Sequence, residues 1–322
     1  MKTARLRKRR LLMSAGQAFV AVSLFLNVLA VDAAELNIDD IKSWRQVVLE
    51  NNIQKKRVSV TTFSLFGGNK CSLLVLRPEF NLVRPGLALD CAKSKTAPTS
   101  AIVQEQKASF GVNGGYFNLS NGDSTSYVAL NGAICADPTK NSNLTENPKL
   151  KPFLPQIFNR TEIRFLKAKG NLPLVQIASH NEPLPAGRLL DSSLQGGPRL
   201  LPLLNAEQEA FVRTEADGKQ VDSIGVGRTA ARTAVALTAD GYLLILAVAG
   251  KGQDEFSSGL TLADLAKLLK NLGAVEALNL DGGTSTTMIQ KKGIQQKEIP
   301  QKHMLIGRTP ETRVRSALLV FE

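Results

Sequence analysis

The sequence has 322 residues, of which 43% are hydrophobic and 21% are charged, and its formal net charge is +12. Its 40 basic side chains form no arginine-rich stripe with interleaved aromatic residues, which argues against a nucleic-acid partner but leaves a phosphate-bearing substrate open. Two histidines offer little material for a multi-histidine zinc site or a serine–histidine–aspartate triad.

The N-terminus has the layout of a secretory signal. A basic head precedes an apolar run that extends to Ala30, and small residues follow at Ala33 and Ala34. This pattern predicts a signal peptide over residues 1–34, cleaved after Ala33 or Ala34. An uncleaved membrane anchor is the alternative, because about 20 apolar residues can span a bilayer. We expect the remaining residues, 35–322, to form the domain. They carry 34 basic and 27 acidic groups, which gives a formal charge of +7.

The first half of that domain is predicted to contain short strands separated by polar loops. An amphipathic lead-in helix, or an irregular first edge of the domain, is predicted within residues 35–58. Strands are predicted at Val58–Phe66, Cys71–Leu76 and Ser109–Val112. Asn, Ser, Asp, Thr and Pro are enriched in residues 118–161, which predicts that loops dominate there.

The three cysteines fit an exported protein. Cys71 and Cys91 bracket two strand-like segments and could form a disulfide in an oxidising compartment, which would leave Cys135 unpaired. The alternative is three free thiols.

From residue 233 onward the pattern predicts one helix and five strands. Thr261 can cap a helix in which leucines recur at helical spacing from Leu262 to Leu272. The strands are predicted at Thr233–Thr238, Tyr242–Ala249, Val275–Leu280, Thr286–Gln290 and Val314–Phe321. The turn Ala239-Asp240-Gly241 predicts that the first two form a hairpin. Because strands outnumber helices and hairpins surround one helical crossover, we predict a single α+β domain with a mixed, largely antiparallel sheet packed by a few helices.

Two segments, FGVNGGYFN and ALNLDGGTSTTM, share a design. In each, apolar strand residues end on a polar side chain, Asn113 or Asp281, and two glycines follow. Glycine lets a ligand approach the backbone, and consecutive N–H groups can cup an anion. A carboxylate such as Asp281 can orient a sugar hydroxyl, bind a cation or act as a base. Either segment alone is more typical of an ordinary turn, because Gly-Gly next to Asn or Asp is common turn chemistry.

Two further elements complete the set. Arg232 opens the strand RTAVAL, and the planar guanidinium of arginine suits phosphate, although a salt bridge is the alternative. The polar turn QGGPR, residues 195–199, is either a wall of the same site or a simple loop.

Four segments of the chain, taken in order, resemble the phosphodiester glycosidase family. They are VNGGYFN, QGGPRLL, RTAVALTADGYLLILAVAG and SGLTLADLAKLLKNLGAVEALNLDGGTSTTM. The family includes an enzyme that removes N-acetylglucosamine from a phosphodiester on mannose. The resemblance covers residues 100–321 and is strongest over 230–290. It implies a hydrolase that cleaves between a sugar anomeric carbon and a phosphodiester, as in an N-acetylglucosamine-1-phosphodiester. Together with the signal-like N-terminus, this predicts an exported, periplasmic or secreted enzyme of envelope, exopolysaccharide or other extracellular glycan metabolism.

The resemblance also implies site residues. Asp281, Arg232 and Asn113 match the positions expected to be catalytic. The positions expected to bind substrate are Gly114, Gly115, Thr233, Gly282, Gly283 and Ser285. No metal site or required cofactor is indicated, although a divalent cation at the carboxylate is left open. The expected partner is a sugar-phosphate or glycan substrate, with the membrane contacted only through an uncleaved N-terminal segment.

The implied mechanism needs little acid catalysis, because a phosphate ester leaves readily as an anion. Arg232 and the glycine amides would stabilise charge on the phosphate, and Asp281, across a glycine-walled floor, would position the sugar or activate water. No second carboxylate is identified, so retention and inversion both stay open.

The sequence departs from the family pattern at two positions. Family members often carry an acid where this chain has Ala249, and Asp254 or Glu255 in the following loop could take the place of that acid. Thr284 stands where a third glycine is usual. Because of these departures a second hypothesis stands beside hydrolysis: the chain is a non-catalytic envelope protein that binds a glycan or a sugar-phosphate. A nucleic-acid phosphodiesterase is disfavoured, since the chain lacks the acid and histidine clusters that two-metal hydrolysis uses.

Overall fold

The computed structural model describes residues 58–65, 68–77, 82–87, 95–168, 171–291 and 304–321. The predicted signal segment, the predicted lead-in helix before Val58, and Cys91 lie outside the described residues. The strands are, in chain order, β1 (Val58–Leu65), β2 (Asn69–Leu76), β3 (Val83–Leu87), β4 (Ala97–Pro98), β5 (Phe110–Asn113), β6 (Val128–Leu130), β7 (Ala133–Ala136), β8 (Thr161–Ala168), β9 (Asn171–Ser179), β10 (Leu189–Gln195), β11 (Arg199–Leu201), β12 (Val212–Thr214), β13 (Gln220–Asp222), β14 (Arg232–Thr238), β15 (Leu243–Val248), β16 (Ala274–Asn279), β17 (Met288–Gln290), β18 (Met304–Ile306), β19 (Arg313–Val314) and β20 (Ser316–Val320). The α-helices are α1 (Thr99–Glu105), α2 (Ser142–Thr145), α3 (Leu154–Phe158) and α4 (Leu262–Asn271).

The strands form three main sheets. The largest has six strands in the order β1-β2-β15-β14-β16-β11, and the two five-stranded sheets have the orders β18-β17-β5-β20-β3 and β7-β6-β10-β8-β9. The pairs β12-β13 and β19-β4 are small separate ribbons. Among the described residues, the named strands pair only in the antiparallel sense. The predicted α+β class with largely antiparallel sheets is confirmed.

The six-stranded sheet is covered on both faces. Along β15, Leu244 and Leu246 pack in the core beneath α4, whereas Leu243 and Ile245 pack in a second core shared with both five-stranded sheets. The predicted β14-β15 hairpin forms with Arg232 opposite Val248. Strand β15, which is apolar throughout, is buried along its whole length, as expected for a strand with packing on both faces.

Helix α4 forms where the leucine spacing predicts it. The Thr261 hydroxyl accepts a hydrogen bond from the Asp264 amide at 3.1 Å, which caps the helix, and Gly273 follows the helix with a φ of +90°. Leu265 and Leu268 are fully buried against the sheet. The helix thereby connects β15 to β16, and Asp281 follows shortly after the end of β16.

The segment from 118 to 222 contains β6 to β13 and two short helices. Within residues 118–161, where loops were predicted to dominate, β6, β7, α2 and α3 are short elements separated by loops. Strand β8 carries Glu162 and Arg164 on one face, paired at 2.7 Å and both buried, and Ile163 and Phe165 on the other. The buried ion pair lets this strand keep its charged face inside the fold.

The predicted disulfide is not formed at Cys71. This residue is a buried, free thiol that packs in the core between the six-stranded sheet and α4, and its Sγ lies 3.6 Å from the carbonyl oxygen of Asn69. Cys135 is free and exposed. Burial raises the pKa of the Cys71 thiol well above its usual range, which keeps it protonated and unreactive.

In the described part of the chain, no helix combines the length and the apolar character that crossing a membrane requires.

Candidate active site

Three strand ends meet at the junction of the six-stranded sheet and the β5 sheet. The Asp281 amide, just past β16, donates to the carbonyl oxygen of Gly114 at 3.0 Å, and the Gly283 amide donates to the carbonyl oxygen of Ala231 at 2.8 Å. The two Gly-Gly turns and the start of β14 therefore come together, although they lie far apart in the sequence.

Asn113 is the hub of this junction and is fully buried. Its Nδ2 donates to the main-chain carbonyl of Asp281, and its Oδ1 accepts from the Thr233 hydroxyl at 2.7 Å and the Thr287 amide at 3.1 Å. One side chain thus joins the ends of three strands. This geometry favours a positioning role for Asn113, and direct contact with a substrate stays a prediction.

Replacing Asn113 with alanine is expected to destabilise the protein. The change leaves the Thr287 amide and the Thr233 hydroxyl buried without their partner, and each unsatisfied group costs about 1–3 kcal/mol. Urea unfolding followed by circular dichroism measures the loss. The exposed Asn121, replaced with alanine, is the control, and an Asn113 variant as stable as that control would contradict the hub role.

Asp281 is the half-buried carboxylate at the surface of the junction. Its Oδ1 accepts from the Gly282 amide at 2.9 Å, and the hydroxyl of Ser285 also donates to the carboxylate. Burial raises the pKa of Asp281 to about 6, although these two hydrogen bonds act in the opposite direction. The group therefore changes charge close to neutral pH, as a general base or acid must.

The four glycines do not form the anion cup that the sequence suggested. Their N–H groups are all bonded within the protein. The acceptors are the Ser316 carbonyl for Gly114, the Ser316 hydroxyl for Gly115, the Asp281 carboxylate for Gly282 and the Ala231 carbonyl for Gly283.

Close packing explains Gly114, Gly115 and Gly282, and backbone conformation explains Gly283. A Cβ at Gly115 would lie 2.4 Å from the carbonyl oxygen of Gln195, so only glycine fits there. Gly283 instead has a φ of +59°, and a Cβ there would meet nothing within 4 Å. Half-buried Gly283 and exposed Thr284 therefore offer an open approach to Asp281.

Arg232 is turned away from the predicted phosphate position. Its guanidinium is buried and donates to four main-chain carbonyl oxygens. These acceptors belong to Leu260 at 2.9 Å, Ile224 at 3.2 Å, Gly225 at 2.6 Å and Arg228 at 2.8 Å. Thr233, the next residue, points to the opposite face of the strand and bonds Asn113. The guanidinium therefore does not face Asp281 across a pocket, and its contacts favour a structural role.

The hydroxyls predicted to bind substrate are mostly enclosed. Thr233 is fully buried, and Ser285 is 3% exposed and bonded to Asp281. Ser285 thus acts on the carboxylate in this structure, and a contact of either hydroxyl with a substrate stays a prediction.

Tyr116 belongs to the same junction and was missed from the sequence, although it follows the NGG motif directly. Its hydroxyl accepts from Asn279 Nδ2 at 2.7 Å and donates to the carbonyl oxygen of Gly197 at 2.8 Å. Burial, followed by the charge of Asp281, raises the pKa of Tyr116, so it stays protonated. Because Gly197 lies in the QGGPR turn, that turn packs against the junction, and its role as a wall of a substrate site stays a prediction.

Gln253 is a second residue that sequence reasoning missed. Its Nε2 donates to the carbonyl oxygens of Gly283 and Thr286, each at 3.0 Å, and its Oε1 accepts from the Gly250 amide at 3.2 Å. The loop after β15 thereby fixes the turn that carries Ser285.

The missing family acid is not replaced by Asp254 in this structure. Ala249 packs in the core, and Asp254 Oδ1 accepts from the Phe256 amide at 3.2 Å and the Ser257 hydroxyl at 3.1 Å within its own loop. Glu255 is exposed. Among the described residues, no group of three or more His, Cys, Asp or Glu side chains could hold a metal ion, and a cation at Asp281 stays a prediction.

A family model for phosphodiester glycosidases matches residues 106–321 of the chain. No curated protein matches the chain in sequence.

Three solved structures resemble the fold. The zebrafish N-acetylglucosamine-1-phosphodiester alpha-N-acetylglucosaminidase catalytic domain, auto-inhibited by its pro-peptide, is 16% identical with a TM-score of 0.56, and the match covers 82% of each chain. A hypothetical protein from Synechocystis is 18% identical with a TM-score of 0.51, and 81% of this chain matches 63% of that one. A protein from Burkholderia pseudomallei K96243 is 14% identical with a TM-score of 0.52, covering 80% and 75%. At these identities the likeness shows the fold alone.

Proposed function

The chain belongs to the phosphodiester glycosidase family, and we propose that it hydrolyses a sugar-1-phosphodiester, with an N-acetylglucosamine-1-phosphodiester as the substrate class to test first. The observation that carries this proposal is the half-buried Asp281 carboxylate, held by Gly282 and Ser285 at the meeting point of the family's motifs. An exported protein acting on envelope or extracellular glycans is the setting we infer from the signal-like N-terminus.

The reaction transfers the sugar from phosphate to water. Ionised Asp281 takes a proton from a water molecule while the oxygen of that water bonds to the anomeric carbon. The bond from the anomeric carbon to the phosphate oxygen breaks in the same step. The phosphate monoester leaves with the bonding electron pair, and the proton on Asp281 then passes to solvent. A phosphate is a good leaving group, so the reaction does not depend on a strong general acid.

Tyr116 contributes to the same site without changing its charge. Its hydroxyl is fixed by Asn279 and Gly197, and its raised pKa keeps it a neutral hydrogen-bonding group beside Asp281. Thr284, exposed on the open side of the turn, is the hydroxyl we propose to contact the sugar or phosphate.

The decisive experiment is a release assay with purified residues 35–322 and N-acetylglucosamine-1-phosphodiesters that differ in sugar and in the second ester group. Free sugar is measured by coupled oxidation or chromatography, and proton NMR of the first product identifies its anomer. The proposal requires sugar release with an intact phosphate monoester. A folded protein that releases no sugar from any member of the set would refute it.

The pH dependence of kcat/KM is expected to follow Asp281. Because the carboxylate must be ionised to act as a base and its pKa is raised to about 6, kcat/KM should rise with pH through about 6 and level off above it. Initial rates from pH 4.5 to 8.5 measure this, with circular dichroism at each pH as the control for folding. A rate that falls through pH 6 would instead indicate that the protonated carboxyl is the active form.

The alanine at position 249 favours a second candidate function, which is binding of a glycan or sugar-phosphate without catalysis. Its methyl group packs in the core where family members often carry an acid. Binding of a sugar-1-phosphodiester in calorimetry, without release of sugar in the same sample, would support this alternative over hydrolysis.

A further inference from the structure

Arg160, just before β8, is a nearly buried cation outside the four segments that resemble the family. Only 8% of the residue is exposed, and its guanidinium stacks on the ring of Phe211 with its central carbon 3.7 Å from the ring centroid. Its Nε donates to the main-chain carbonyl oxygen of Glu209 at 2.9 Å. Burial lowers the pKa of Arg160 to about 10, which still leaves the group charged at neutral pH.

The outer edge of this guanidinium is free. In the part of the chain that the structure describes, Nη1 and Nη2 of Arg160 form no hydrogen bond, and the side chain forms no ion pair. Neither nitrogen is among the enclosed side-chain atoms that lack a partner, so both are open to solvent. A buried cation is normally paired with an anion. The four N–H groups of this edge can therefore take an anionic ligand.

The neighbouring carboxylate does not pair with Arg160, because it serves other donors. Glu209 Oε2 accepts from the Thr161 amide at 3.1 Å, and Oε1 accepts from the Thr161 hydroxyl and the Arg199 amide, each at 2.8 Å. Only the main-chain oxygen of Glu209 contacts the guanidinium. The contact fixes the orientation of Arg160 and leaves its charge available to another anion.

Tyr116 connects Arg160 to the candidate active site. The Phe211 ring that carries the guanidinium also packs against the Tyr116 ring, with 5.3 Å between the two centroids. Burial and then the charge of Asp281 raise the pKa of Tyr116, whereas the charge of Arg160 lowers it, so both groups act on the same hydroxyl. Tyr116 is itself partly exposed. A ligand that lies across Tyr116 can therefore approach both the carboxylate and the guanidinium.

We propose that Arg160 is the cation that binds the phosphate of the substrate, in the place that the resemblance gave to Arg232; this rests on the proposed function. Arg232 uses four of its five N–H groups on main-chain carbonyl oxygens, whereas Arg160 presents two adjacent nitrogens without partners. A guanidinium edge matches phosphate with two parallel hydrogen bonds. It stabilises the negative charge that grows on the phosphate as the bond to the anomeric carbon breaks, and no proton leaves Arg160.

Binding of inorganic phosphate tests this site without any turnover. Melting temperatures over a phosphate titration, with sodium chloride holding the ionic strength constant, give the dissociation constant. The unchanged protein should bind phosphate, and Arg160→Met should weaken the binding about 10- to 100-fold, the loss expected for hydrogen bonds between charged groups. Arg84→Met is the matched control and should bind as the unchanged protein does. The Arg84 guanidinium also stacks on a phenylalanine ring, that of Phe321 at 4.3 Å, but it is exposed on the edge strand β3.

The kinetics test whether this phosphate site is the one used in the reaction. With the methyl diester of N-acetylglucosamine-1-phosphate, Arg160→Met should lower kcat/KM about 10- to 100-fold. Inorganic phosphate should inhibit the unchanged protein competitively and should not inhibit the variant at the same concentrations. If circular dichroism shows that Arg160→Met does not fold, Arg160→Lys replaces it. One ammonium cannot form the two parallel hydrogen bonds, so phosphate affinity should fall in that variant as well.

The outcomes separate Arg160 from the proposed function. No phosphate binding by the unchanged protein, or equal binding by the folded Arg160 variant, overturns the assignment. Hydrolysis with the same kcat/KM in that variant also overturns it and leaves the proposed function standing. If no diester is cleaved, the proposed function fails and the phosphate titration decides alone, since affinity lost with Arg160 supports the phosphate site and affinity retained without it overturns the site.

Discussion

Replacing Asp281 with asparagine is expected to lower kcat for a sugar-1-phosphodiester by about 10²- to 10⁴-fold, the contribution of a positioned acid–base group. Asparagine keeps the size of the side chain and can still accept from the Gly282 amide, but it cannot take a proton from water. The release assay on purified variants measures the change, and circular dichroism checks the fold.

Asp217→Asn is the matched control, because Asp217 lies exposed in the turn between β12 and β13. It should retain full activity. Near-normal turnover by a folded Asp281→Asn protein would remove this carboxylate from the chemistry.

The same substitution should leave stability unchanged or raise it near neutral pH. The pKa of Asp281 is raised from 3.8 to about 6 by burial, so the folded protein holds this proton more tightly than the unfolded chain does. The stability that this group contributes is present below pH 3.8 and is lost as the pH rises through 6. Melting temperatures at pH 4 and pH 7.5 test this, since the variant should gain at pH 7.5 relative to pH 4. Lost activity together with retained stability would distinguish a catalytic from a structural carboxylate.

Local sequence signals predicted the C-terminal half of the fold well. Hydrophobic spacing located α4, and the turn residues around Asp240 located the β14-β15 hairpin, because each depends on neighbouring residues alone. The strands β8 to β10 were not predicted, although TEIRFLKA alternates apolar and charged residues. Their charged face is stabilised by the Glu162–Arg164 pair and by Arg164 bonds to carbonyls of the next strand end, which are tertiary contacts.

The candidate site was predicted at the level of which segments meet. Asn113, Thr233 and Asp281 do converge, since Asn113 bonds both the Thr233 hydroxyl and the Asp281 main-chain carbonyl. The orientation of each group could not be read from the sequence. Whether a glycine amide faces a ligand or a carbonyl depends on the neighbouring strand, as Gly115 and Ser316 show. Tyr116 likewise could not be predicted as a site residue, because its place at the junction depends on tertiary hydrogen bonds from its hydroxyl to Asn279 and Gly197.

Replacing Arg232 with methionine is expected to lower the free energy of unfolding by about 3–5 kcal/mol, because two buried carbonyl acceptors lose their donor at about 1–3 kcal/mol each and two part-buried ones lose theirs as well. The guanidinium is 2% exposed and holds the 224–228 loop and Leu260 in place at the start of β14. Arg232→Lys should recover only part of this loss, since one ammonium cannot reach carbonyls on both sides. Urea unfolding measures the three proteins.

Arg228→Met provides the control, because the Arg228 side chain is exposed while its main-chain carbonyl, the acceptor for Arg232, is unchanged by the substitution. The two roles of Arg232 give opposite results. If it holds the loop, stability falls and the residual folded enzyme keeps a near-normal KM. If it binds phosphate as the family resemblance implies, KM rises or kcat falls at unchanged stability, and the structural role is refuted. The four carbonyl contacts favour the first outcome, since they occupy four of the five N–H donors of the guanidinium and leave one for a phosphate.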